Sequence, residues 1–167
     1  MKKIMRTMMF VVMLITMNSC SADTVEKSKK TAVANEIPNV NYTYNDSELE
    51  LMQLINKYRV SIGLNALAKA NFISNQCEDH SQYMAANKVM DHNGFSSRSQ
   101  NIMKGLGAKS VAENVAYNYK TAQDALKGWL KSPGHKKNIE GNFTHFGISV
   151  ITDSSGKKYY TNIFARI

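Results

Sequence analysis

The chain has 167 residues, 43% of them hydrophobic and 20% charged, with nine glycines and two prolines. That balance excludes a disordered, collagen-like or low-complexity chain and gives enough apolar sequence for one folded domain. Net charge is +8, but Lys2, Lys3 and Arg6 belong to the leader, so the remainder is only moderately basic, which suits an anionic envelope or lipid headgroups and equally serves plain solubility.

Residues 1–19 read as a secretory signal, with the three cations ahead of an apolar run from Met8 to Met17 that is too short to span a membrane as a helix. Met17, Asn18 and Ser19 then resemble a relaxed bacterial lipobox and make Cys20 the lipidated residue; the alternative is ordinary cleavage after Ala22. Each buried methylene of such a lipid contributes roughly 0.8 kcal/mol, so the expected partner is a membrane, with the protein held in the cell envelope. Nucleic acid does not suit an exported chain. With Cys20 modified, Cys77 has no cysteine to pair with and reads as a buried structural thiol rather than a nucleophile. From Cys20 to Asp46 the sequence is polar and aperiodic, a tether in front of a domain spanning 47–167.

The domain opens with "SELE", read as a capping box of Ser47 and Glu50, followed by Leu51, Leu54, Ile55, Tyr58 and Ile62 at helical spacing up to Gly63. A second helix is predicted over about 70–90, its apolar stripe made by Ile73, Cys77, His80 and Met84. His80 on that stripe reads as a core histidine satisfied by a hydrogen bond. His92 falls in a loop around Asn93 and Gly94, ahead of a short helix over 97–106. "SVAENVAYNY" alternates as a strand from Val111 to Tyr117 and puts Glu113 on one face with Val111, Val115 and Tyr117. A carboxylate there must be exposed or have its charge met by histidines, a metal or amide hydrogens. "TAQDALKGWL" is a helix capped by Thr121 with Trp129 turned inward, and "THFGISVIT" and "KKYYTNIFARI" form a closing hairpin.

Between them lies "GWLKSPGHKKNIEG". Ser132 reads as the N-cap of a new helix with Pro133 in its first turn, where a missing N–H is no loss. His135 is then its third residue, near the positive end of the backbone dipole, and is biased towards the neutral form that binds a metal or accepts a hydrogen bond.

The ordered fragments "NKYRVSIGLNAL", "HSQYM", "DHNGF" with Arg98, "AENVAY", "GWLKSPGHKKNI", "HFGISV" and "YYTNIFA" are similar to the CAP superfamily of cysteine-rich secretory, antigen-5 and pathogenesis-related proteins, in its bacterial SCP-like extracellular branch. The resemblance implies an α+β fold, a three-layer α-β-α sandwich with a short antiparallel sheet between helices. It also implies a cleft onto which the family's residues carry over as His92, Glu113 and His135, with Asn114 as the structural asparagine beside the glutamate. The second glutamate of many members is replaced here by Ser132. His92, Glu113 and His135 could form an open zinc set with water in the fourth place, an uncharged hydrogen-bonded cleft or a purely structural cluster. His145 is expected to face water. The leading functional expectation is an envelope-tethered binding module for a lipid, glycan or peptide. Its rivals are a metal-assisted hydrolase with Glu113 as general base, and an interaction module acting by its surface alone.

Overall fold

The computed structural model describes residues 40–167, so the signal reading, Cys20 and residues 20–39 of the tether lie outside the described residues. In chain order the elements are α1 (Asp46–Ser61), β1 (Ala68–Lys69), α2 (Asn71–Asn87), α3 (Phe95–Leu106), β2 (Ser110–Tyr117), α4 (Ala122–Lys131), α5 (Pro133–Ile139), β3 (His145–Thr152) and β4 (Lys158–Arg166). The two-residue β1 was not legible in the sequence; it exists by pairing in parallel with the start of β3.

The capping box of α1 lies two residues earlier than the sequence suggests. Asn45 accepts from the Glu48 N–H at 3.0 Å while the Glu48 carboxylate accepts from the Asn45 N–H at 2.9 Å. Both Asn45-x-x-Glu48 and Ser47-x-x-Glu50 fit the pattern, and tertiary contact decides between them. Glu48 is buried and also accepts from the Val150 N–H at 2.8 Å and the Tyr42 hydroxyl at 2.9 Å, whereas Glu50 is exposed.

The sheet runs β1-β3-β4-β2, antiparallel except for β1 with β3. Strand periodicity splits its residues between two faces. One face carries Ala116, Phe146, Ile148, Val150, Tyr160 and Phe164 and packs against α1, α4 and α5, with Leu51, Ile55 and Trp129 fully buried. On the other face Ile163 and Ala165 pack against Ile73 and Cys77 of α2 and Ile102 and Leu106 of α3. A Cβ at Gly147 would lie 2.3 Å from the Ser74 backbone nitrogen, so α2 rests directly on β3 and only glycine fits beneath it. These are the three layers of the expected sandwich.

Arg59 is fully buried at the end of α1 and faces no carboxylate among the described residues. Its guanidinium donates to the carbonyls of Ile139 at 2.6 Å, Gly141 at 2.9 Å and Asn65 at 3.0 Å. Carbonyls at the negative end of α5 thus take the place of a counter-ion and bind α1 to the end of α5. Residues 40–45, read from sequence as the end of the tether, pack on the domain. Tyr44 donates to Asn71 and shares a hydrogen bond with Ser74, and Asn71 donates to the Val40 carbonyl.

Candidate functional site

β2 places two neighbouring residues on opposite faces of the sheet, and each holds one wall of the site. Glu113 turns towards α3 and the loop before it, with its side chain 1% exposed. Arg98, one turn into α3, grips the carboxylate with both arms: Nε donates to Oε2 at 2.9 Å and Nη2 to Oε1 at 2.9 Å. His92 Nδ1–H donates to Oε1 at 2.8 Å, which leaves Nε2 of this half-exposed ring free of the carboxylate. The charge of Glu113 is therefore met by a guanidinium as well as by the expected histidine. Arg98 was visible in the sequence as part of a motif but not as a site residue. One signal could have found it: the domain is rich in lysine, and Arg59, Arg98 and Arg166 are its three arginines, two of them largely buried. Arginine is chosen over lysine where a planar fork must meet a carboxylate or carbonyls away from water.

Asn114, on the opposite face, donates to the His135 carbonyl at 3.0 Å. Asn138 donates to the Asn114 side-chain oxygen at 2.8 Å and to the Glu113 carbonyl at 3.1 Å. Two asparagines thereby latch α5, and His135 with it, onto the strand that carries Glu113. Burial lowers the pKa of His135 below the ordinary histidine value, with the nearby His92 adding to the effect, so the ring is held neutral as its place in the helix suggested. Asn138 is a second residue that sequence reasoning missed, because an asparagine inside a short lysine-rich helix looks like surface.

Ser132 is the N-cap residue of α5, but its hydroxyl makes no cap hydrogen bond. The same residue closes α4, its N–H donating to the Trp129 carbonyl, and its ψ of 118° departs from the 167° and 156° of Asn45 and Thr121, whose side chains do cap. That rotation carries the hydroxyl away from the N–H groups it was expected to meet.

The remaining histidines stand apart. His80 is buried and its Nε2–H donates to the Asp91 carbonyl at 2.8 Å, the satisfied core histidine that was expected; burial lowers its pKa. His145 is half-buried rather than facing water, bonded to the Thr144 hydroxyl and two strands away from Glu113. Cys77 is fully buried, which pushes its thiol pKa well up and leaves it inert.

A zinc set of His92, Glu113 and His135 does not fit this arrangement. Both carboxylate oxygens of Glu113 are engaged by Arg98, and among the described residues no group of three His, Cys, Asp or Glu side chains is gathered so as to hold a metal ion.

The three-layer fold points to a class of secretory domains. The cysteine-rich secretory protein family, CAP, matches residues 52–164, and the chain belongs to that family. Among solved structures it is similar to an outer surface protein from Borrelia burgdorferi, with a TM-score of 0.66 and 17% identity over 76% of this chain and 98% of that one. It is also similar to an extracellular protein containing a SCP domain from Bacillus anthracis, with a TM-score of 0.63 and 26% identity over 77% of this chain and 45% of that one. Two Bacillus subtilis proteins match in sequence: the membrane protein YlbC, 32% identical over 124 residues, and YkwD, 33% identical over 112 residues. The aligned segment is 34% of the first and 44% of the second, so the chain spans less than half the length of either.

Proposed function

We propose that this protein is an exported CAP-domain binding module, held to the cell envelope by a lipid on Cys20, that takes a lipid, glycan or peptide in the cleft lined by His92, Glu113 and His135. One observation carries the choice of binding over hydrolysis. The carboxylate that would have to serve as general base is fixed by a two-armed guanidinium and an imidazole, while the two rings keep nitrogens available for hydrogen bonding. Export and anchoring are supported by the basic-then-apolar leader ending at Cys20, by a relative named as a membrane protein and by a structural neighbour described as extracellular. Among the described residues no helix is long and apolar enough to cross a membrane.

The test is a nuclear magnetic resonance titration of the labelled domain with three probes: an N-acetylglucosamine trimer, a tripeptide mixture and a short-chain phosphatidylglycerol. The expected result is that one of them shifts the His92 and His135 ring signals and leaves the titration unchanged in time. Turnover of any peptide or ester that disappears in Glu113→Gln overturns the reading in favour of a hydrolase. For the anchor, mass spectrometry of the mature N-terminus is expected to find lipid on Cys20, and an unmodified chain starting at Asp23 would refute it.

A further inference from the structure

Beside Arg98, the loop 91–94 and one flank of α2 border an open pocket of about 240 Å3, lined by Asp79, His80, Tyr83, Asn93, Gly94 and Arg98. Its walls are fixed by hydrogen bonds. His80 is held by the Asp91 carbonyl, Asn93 donates to the Tyr83 hydroxyl at 3.0 Å, and Arg98 Nη1 donates to the Asn93 carbonyl at 2.7 Å. Gly94 stands at φ +72°, which glycine adopts without strain, and a Cβ there would sit tightly against Arg98 Nη1 at 3.3 Å.

These bonds leave a specific set of unused groups. Tyr83 accepts from Asn93 and keeps its own hydroxyl proton; neutral His80, with its proton on Nε2, keeps Nδ1 as an acceptor; Arg98 Nη1 keeps one N–H. Asp79 is exposed, with no ion pair among the described residues. Because the Arg98 charge is already balanced by Glu113, the pocket's uncompensated charge is the single negative one of Asp79, which disfavours phosphates and carboxylates. One exposed carboxylate is by itself a weak hold for an ammonium as well. What remains is a neutral ligand dense in hydroxyl and amide groups. The volume lies below the roughly 300–1,000 Å3 of sites for drug-sized ligands, room for one small ring but not for an acyl chain or a run of peptide.

We infer that this pocket is a subsite for one neutral sugar ring, a pyranose of a glycan whose neighbouring residues occupy the His92–His135 cleft. The inference rests on the binding-module reading and selects the glycan among its three ligand classes. Asp79 accepts from a pair of ring hydroxyls, and Tyr83, Asn93 and Arg98 supply donors on the other side.

The test uses the full chain purified without its leader, titrated with an N-acetylglucosamine trimer, with a glucose trimer and with inorganic phosphate while amide shifts are followed. The amides of Tyr83, Asn93 and Gly94 are expected to move with at least one trimer and not with phosphate. Asp79→Asn and Tyr83→Phe, which keep the shape of the pocket, should each weaken that binding about tenfold without moving the unfolding midpoint. Shifts of His92 and His135 alone would leave the binding-module reading intact and sink the subsite, as would trimer binding that both variants leave unchanged. Silence with both trimers, or a response to phosphate instead, also overturns it.

Discussion

At the β2 edge of the sheet, the carbonyls of Glu113 and Val115 are met by the Asn138 amide at 3.1 Å and the Trp129 indole N–H at 2.9 Å, neutral donors carried by α5 and α4. At the β3 edge, the Val150 N–H is met by the Glu48 carboxylate at 2.8 Å and the Val150 carbonyl by the Asn45 amide at 3.3 Å, both from the start of α1. Either device blocks strand addition by another molecule. The difference lies in where charge is kept. Beside β2 the buried carboxylate, Glu113, has a guanidinium, and the edge itself is closed by neutral groups. At β3 the buried carboxylate is itself the closure, with hydroxyl and amide donors and no cation within ion-pair reach among the described residues. Burial accordingly raises the pKa of Glu48, and this edge is expected to loosen or tighten with pH.

The sharpest way to break the contrast is Arg98→Met. It strands the Glu113 charge in the interior and should lower stability by about 3–5 kcal/mol in urea unfolding, with Glu113→Leu in the same chain recovering most of the loss. Next is Glu48→Ala, which leaves the Val150 and Asn45 N–H groups without their acceptor; a loss of about 2–3 kcal/mol is expected. Glu48 also sets a pH slope. The folded chain binds its proton more tightly than the unfolded chain, so stability should fall as pH rises from the ordinary carboxylate range through the raised value, and Glu48→Gln should flatten that slope in urea midpoints. Asn138→Ala should cost about 1–2 kcal/mol and speed amide exchange in α5 more than in α1, since it undoes the latch but not the Arg59 clasp. A uniform acceleration across both helices would mean that the latch is not local. The smallest effect is on His135: His92→Gln should raise its titration midpoint slightly, because the neighbouring ring is the lesser of the two causes that lower it.

Helices and strands with strong periodicity were legible: the stripe Ile73, Cys77, His80 and Met84 is buried throughout, and the strand alternation that set Glu113 beside Val115 holds. What failed were choices between equal local patterns. Two overlapping cap motifs stood at the start of α1, and only the distant Val150 and Tyr42 select Glu48. Ser132 satisfied every local rule for a capping hydroxyl, yet its backbone is shared by two helices. The site divided in the same way. His92 was legible because a loop histidine has no apolar stripe to belong to, and Glu113 because a charge on a strand's inner face must be answered. The residue that answers it was not, since Arg98 reaches the carboxylate across a turn and a helix that the sequence sets 15 positions away.

The hold of Tyr44 and Asn45 on α2 and β3 decides where a pull on the N-terminal side of the chain would be felt. Tension arriving at residue 40 passes into Asn71 and Ser74 of α2 and, through Asn45, into Val150 of β3, the strand two places from the one that carries Glu113. A domain tugged from that end would take the strain first through α2 and β3.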